Sequence, residues 1–187
     1  MNYIWTVQEK KVFDIIKNKG QYYPDFNISQ NGNKWNEAYK LVLESFNSVN
    51  KSNYKGLIFG FVKSSRESFK DVDELYKYFM DNPEVTSAFN FWNEKYVILQ
   101  LAYDENFNVI PVDFNDFIQI MPPIWNKSIK DAVCKNIKQG EYNGAYTLES
   151  FIQVHLPYIK DKNVINVYGN FDKKNSDSSH TLTIFDK

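Results

Sequence analysis

The first twenty residues constrain the fold most, because they predict a strand that leads directly into a helix. Tyr3–Gln8 has the composition of a strand, and Glu9–Lys19 carries its apolar residues at helical spacing. Gly20 follows the last helical turn, where glycine adopts the left-handed conformation at little cost. The chain therefore begins with a strand and a short helix that ends at Gly20.

The rest of the chain continues this mixture of helices and strands. Apolar spacing predicts further helices over 35–46, from Asp71 to about 82, over 124–138 and over 147–157. It predicts strands over 54–62, 96–103, 109–112, 164–171 and 180–185, with 96–103 and 109–112 pairing as a hairpin. The order lacks the regular alternation of a doubly wound sheet. It predicts an α+β fold, a single domain over residues 1–187 with a twisted mixed β-sheet packed by several helices, and 172–187 as a loop and edge strand.

The amino-acid composition limits the classes of partner that the chain is expected to bind. The net charge is −1, and Arg66 is the one arginine among 22 basic residues, so the sequence carries no strong signal for nucleic-acid binding. The abundance of Lys, Asn, Ile, Tyr and Phe indicates an AT-rich genome, such as that of a low-GC bacterium or its phage. We expect no membrane span, because no apolar stretch approaches the roughly 18 residues required. The sequence predicts a cytoplasmic protein and gives no oligomeric state.

Metal and nucleophile chemistry finds little support in the sequence. Cys134 is the single cysteine, which excludes an internal disulfide. His155 and His180 are the two histidines, and they have no paired metal-ligand spacing. We interpret all three residues as structural and expect no metal site and no resident cofactor.

Three short segments resemble one bacterial family, the domain of unknown function 3841 proteins. The first segment comprises Trp5-Thr6-Val7-Gln8, Lys19-Gly20 and Tyr22. The second is the helix with Trp35, Ala38 and Tyr39, followed by the strand 57–62. The third comprises Ile152-Gln153, Ile159-Lys160 and Val164-Ile165. The resemblance covers about residues 1–171. This chain has Phe59-Gly60-Phe61 where the family has a Trp-containing strand. The resemblance implies a fold but no activity, since the family has none established.

One hypothesis for function is enzymatic. Thr6 and Gln8 share one face of the first strand. A polar pair on a first strand, followed by a helix that ends in glycine, resembles the opening of ADP-ribosyltransferase-like folds, which implies NAD as cofactor. Gln153 or Glu149 would then be the late residue that acts on the ribose. The alternative is that Thr6 and Gln8 face solvent or bond to a neighbouring strand.

The preferred hypothesis is recognition of a host protein, as in accessory or inhibitor proteins of phages and mobile elements. Aromatic side chains supply much of the binding energy at interfaces. Several of them lie near predicted loops, and the interface candidates are Tyr22, Tyr23, Phe89, Phe91, Trp92 and Trp125, with Tyr54 in a similar setting. Residues 89–92 are the favoured segment. The alternative is that these aromatics fill the core.

Overall fold

The chain has an α+β fold, as the sequence predicts. A computed structural model describes residues 3–27, 36–63, 68–81, 95–103, 112–113, 131, 135, 152–169 and 183–184. The described helices are α1 (Lys10–Lys19), α2 (Asn36–Asn50) and α3 (Val72–Asp81). The described strands are β1 (Tyr3–Glu9), β2 (Gln21–Tyr22), β3 (Ile58–Val62), β4 (Tyr96–Ala102), β5 (Val112–Asp113), β6 (Ile152–Leu156), β7 (Ile159–Lys160), β8 (Val164–Gly169) and β9 (Thr183–Ile184).

The chain divides into two compact units, each assembled from segments that are distant in sequence. The first unit comprises 1–22, 68–103 and 159–187, and the second comprises 23–67 and 104–158. Every strand pairing described within either unit is antiparallel. The prediction of a mixed sheet therefore has no counterpart in these pairings.

In the first unit, β1 and β8 flank β4. Strand β1 pairs with β4 from Tyr3 opposite Ala102 to Glu9 opposite Tyr96. Strand β8 pairs with the other edge of β4, and β9 pairs with β8. A separate small sheet joins β2 to β7. Strands β4 and β8 thus lie inside the predicted strands 96–103 and 164–171, and β9 lies inside the predicted last strand.

Trp5 anchors this unit, because its ring fills the core and its indole N–H forms a hydrogen bond there. Its side chain is fully buried, and its indole Nε1 donates a hydrogen bond of 3.2 Å to the carbonyl oxygen of Phe69. Its ring lies 5.9 Å from that of Tyr168. A buried indole requires such a partner, because an unpaired N–H in the core would be costly.

In the first unit, α1 ends and α3 begins at the residues that the sequence predicts. Gly20, with φ of 73°, terminates α1 in the left-handed conformation. Asp71 caps α3, since its Oδ1 accepts a hydrogen bond of 2.9 Å from the backbone N–H of Glu74. The carboxylate of Glu74 accepts in turn from the backbone N–H of Lys70 at 2.6 Å. The bond to Asp71 satisfies an amide group that the first helical turn leaves unpaired, and the bond to Glu74 holds the residue before the cap.

In the second unit, β3 and β5 flank β6. Phe59 of β3 lies opposite His155 of β6, and Val112 of β5 lies opposite Gln153. Strand β6 corrects the predicted helix over 147–157, because residues 152–156 are extended and all buried. The alternation Ile152-Gln153-Val154-His155-Leu156 has the period of a strand, but Ile152 and Leu156 also lie four residues apart, as they would on a helix face. The predicted hairpin is also wrong in its pairing, since β5 pairs with β6 whereas β4 pairs with β1 and β8.

Within the described part of the chain, no helix has both the length and the apolar character needed to cross a membrane. The predicted helix over 124–138 lies mostly outside the described residues, although Asp131 and Lys135 are helical.

We expect Trp5→Ala to lower the free energy of unfolding by about 3–5 kcal/mol, the usual cost of removing a buried aromatic side chain. Urea denaturation followed by circular dichroism measures this change. Lys17→Ala is the control, because Lys17 is exposed on α1 and such substitutions change stability by less than about 0.5 kcal/mol. Equal effects of the two substitutions would show that Trp5 is not the anchor of this unit.

Candidate interaction surface

Three tyrosines of the second unit form a partly exposed cluster, which we name the tyrosine patch: Tyr23, Tyr54 and Tyr158. The ring of Tyr158 lies 5.4 Å from that of Tyr23 and 6.5 Å from that of Tyr54, with interplanar angles of 57° and 58°. Among the residues that the structure describes, Tyr23 is the one exposed large hydrophobic side chain, at 49%. Tyr54 and Tyr158 are half-buried. The patch therefore presents aromatic surface to solvent on a packed base.

The inner side of the patch rests on the core of the second unit. Tyr54 packs edge-on against Phe46 of α2, with ring centroids 6.1 Å apart, and Phe46 is fully buried. Tyr158 follows Pro157, which is buried. The patch is thus supported by packed, buried side chains.

Asn47 holds the loop that carries Tyr54. Its Oδ1 accepts hydrogen bonds of 2.9 Å from the backbone N–H of Tyr54 and from the hydroxyl of Ser52. Its Nδ2 donates a bond of 2.9 Å to the carbonyl oxygen of Tyr54. One amide side chain therefore bonds both backbone groups of Tyr54 and fixes the position of its ring.

Gly56 allows the loops that carry Tyr23 and Tyr54 to meet. A Cβ at this position would lie 2.9 Å from the carbonyl carbon and oxygen of Pro24, closer than real contacts allow. The backbone N–H of Phe26 also donates a bond of 3.1 Å to the carbonyl oxygen of Lys55. The sequence places Gly56 inside a strand, but the structure places it just before β3, where any side chain would separate the two loops.

Two lysines flank Tyr54 in the same loop. Lys51 and Lys55 are both exposed, and neither forms an ion pair with another described residue. Lys51 has φ of 50°, a left-handed conformation that usually suits glycine or asparagine at the end of a helix. This conformation costs a non-glycine residue on the order of 1 kcal/mol. The nearby Asp25 carboxylate already accepts a bond of 2.9 Å from the backbone N–H of Asn27.

The other interface candidates separate into two groups. Tyr22 lies in β2 of the first unit, half-buried and paired with Ile159, so it is not part of the tyrosine patch. Phe89, Phe91, Trp92 and Trp125 lie outside the described residues, and their role stays a prediction. Sequence reasoning missed Tyr158, which directly follows the helix predicted over 147–157, although Pro157 before it is a signal for a loop.

The candidate catalytic residues lie in both units. In the first unit, the Nε2 of Gln8 donates a hydrogen bond of 2.8 Å to the hydroxyl of Thr6, so the two share a strand face as predicted. Thr6 is fully buried and Gln8 is half-buried. Gln153 lies in the second unit and is 1% exposed. Glu149 lies outside the described residues.

Gln153 belongs to a buried polar pair with His155. Its Nε2 lies 3.0 Å from the Nε2 of His155, and the histidine is fully buried. Phe59 packs edge-on against the imidazole at 5.1 Å, and the ring of Tyr39 lies 4.6 Å from that of Phe59. Burial raises the pKa of Tyr39 to about 12. This environment agrees with the interpretation of His155 as a structural residue.

Metal ligands do not converge in the described part of the chain, where no group of three or more His, Cys, Asp or Glu side chains is placed to hold an ion. Cys134 and His180 lie outside the described residues.

Comparison with protein-family models, with curated proteins and with solved structures finds no match to this chain.

We expect Asn47→Ala to lower the free energy of unfolding by about 1–3 kcal/mol, because the backbone of Tyr54 loses both of its side-chain partners. Alanine is the better helix former, and its gain of about 0.5 kcal/mol offsets only part of this loss. Thermal and urea denaturation measure the difference. Asn53→Ala is the matched control, since Asn53 is exposed in the same loop; an equal loss in both variants would contradict the role given to Asn47.

Proposed function

We propose that this protein acts by binding another protein through the tyrosine patch. The observation that carries the proposal is the exposure of Tyr23 on top of Tyr158, in a loop whose position is fixed by Gly56 and by the Phe26–Lys55 hydrogen bond. Tyrosine is enriched at binding hot spots, because it offers a large amphipathic surface with few rotatable bonds.

Preorganisation supports the same proposal. Binding costs free energy when loops and side chains must be ordered at the interface. Asn47 already holds the backbone of Tyr54, and Phe46 already supports its ring. A partner that covers this surface would therefore lose little to loop ordering. The sequence hypothesis of a host protein as the partner, in the cytoplasm of a low-GC bacterium, agrees with this surface and forms part of the proposal.

The resemblance to the domain of unknown function 3841 family is likewise a proposal. It rests on the short segments near residues 5–22, 35–62 and 152–165. It names no partner, so the argument for protein binding depends on the tyrosine patch alone.

We expect Tyr23→Ala and Tyr158→Ala each to weaken a complex by about 2 kcal/mol or more, the threshold that defines a hot spot. The tagged protein is used to capture partners from the lysate of a low-GC bacterium. Mass spectrometry identifies them, and the affinity of a purified partner is then measured by calorimetry for wild type and variants.

Tyr96→Ala is the matched control, because Tyr96 is a half-buried tyrosine of the first unit. We expect it to retain wild-type affinity. A partner that binds all three variants as tightly as wild type would exclude the tyrosine patch as the interface. Circular dichroism of each variant separates lost binding from lost structure.

An NAD-dependent enzyme is the second proposal, and it rests on the placement of Thr6 and Gln8 on one strand face. Under this hypothesis Gln8→Ala abolishes turnover of NAD while the melting temperature changes little, since Gln8 is only half-buried. Release of nicotinamide by wild type and variant measures this. Wild-type protein that releases no nicotinamide, with and without lysate proteins as acceptors, would end the enzymatic hypothesis.

A further inference from the structure

The charged residues beside the tyrosine patch indicate the charge of the segment that it would bind. Lys51 and Lys55 flank Tyr54 in the loop that Asn47 holds, and both are exposed without a described ion-pair partner. Asp25, the acidic residue of the adjoining loop, is half-buried and accepts a backbone hydrogen bond from Asn27. The two loops carry two lysines against one carboxylate, so they offer net positive charge to a partner.

We propose that the tyrosine patch binds an acidic linear segment of its partner protein. The inference rests on the proposed function and adds the chemistry of the ligand. Interfaces place charges of opposite sign against each other, which excludes like-charged partners and speeds association. The phenolic hydroxyl of an exposed tyrosine can also donate a hydrogen bond to a carboxylate, which accepts at both oxygens. Apolar side chains of the segment lie on the tyrosine rings, and its carboxylates face the lysines.

The conformation of Lys51 supports a role for its charge. A left-handed φ of 50° favours glycine, yet a long cationic side chain occupies the position. A lysine there also interacts favourably with the carboxyl end of α2, which explains part of its presence. The two contributions can be separated, because the melting temperature of Lys51→Gly reports the effect on the end of α2 and its affinity for a ligand reports the effect on binding.

The test uses the full-length protein and a displayed library of short random linear peptides as the probe. Wild-type protein and the Tyr23→Ala variant are each used for selection. We expect the wild-type protein to enrich peptides that are net negative and carry apolar or aromatic residues, and Tyr23→Ala to lose this enrichment. A synthetic peptide from the enriched set should bind Tyr23→Ala roughly thirtyfold more weakly than wild type.

The lysines are tested with the same synthetic peptide. Lys51→Gly combined with Lys55→Gln should weaken binding by about fivefold at low salt, with no loss of melting temperature. Lys40→Gln is the matched control. Lys40 is exposed on α2, and the helical rise of 1.5 Å per residue places it roughly 16 Å from Lys51 along the helix axis. It should leave the affinity unchanged.

Each outcome decides the inference. Enrichment of acidic peptides that requires Tyr23 and weakens with the lysine variants supports it. Enrichment that requires Tyr23 but yields neutral or basic peptides overturns the acidic ligand and leaves the proposed function intact. Selection without any dependence on Tyr23 overturns the inference as well, and capture of a folded partner from lysate then decides the proposed function separately.

Discussion

The contact between the backbone at Gly56 and the backbone at Pro24 is the constraint on which the second unit's surface depends. A side chain at position 56 would lie within 2.9 Å of main-chain atoms, which cannot move aside as a flexible side chain would. Because the two loops meet there, the hydrogen bond from Phe26 to Lys55 forms and the segments that carry Tyr23 and Tyr54 stay together. The tyrosine patch is a consequence of this close approach.

Hydrogen bonds made by side chains to the backbone stabilise both units at places where regular structure ends. Asn47 bonds the loop after α2, Asp71 caps α3, and the Nδ2 of Asn163 donates to the carbonyl oxygen of Ala102 at 3.1 Å. Each bond satisfies a backbone group that neither helix nor sheet would satisfy. The surface that we propose for binding is therefore held by the same kind of interaction that ends the helices.

The tyrosine patch and the polar pairs have different physical characters. Thr6 bonds Gln8, and Gln153 bonds His155, so these polar side chains satisfy one another inside or at the edge of the core. Tyr23 instead exposes about half of its surface. Buried polar groups require partners because unpaired ones are costly, whereas an exposed aromatic ring on a rigid base gains free energy when a partner covers it. This contrast is the reason that we place recognition above catalysis.

The amino-acid sequence by itself determined the local elements whose signals lie within a few residues. It predicted β1, α1 with its end at Gly20, the capping of α3 by Asp71, and the placement of Thr6 and Gln8 on one strand face, because capping and side-chain alternation are short-range effects. Only the tertiary structure decided that residues 152–156 form a strand, because Ile152 and Leu156 fit helical spacing while the same five residues also alternate as a strand does. It alone brought Tyr23, Tyr54 and Tyr158 together, since no local pattern encodes contacts between side chains so far apart in the chain.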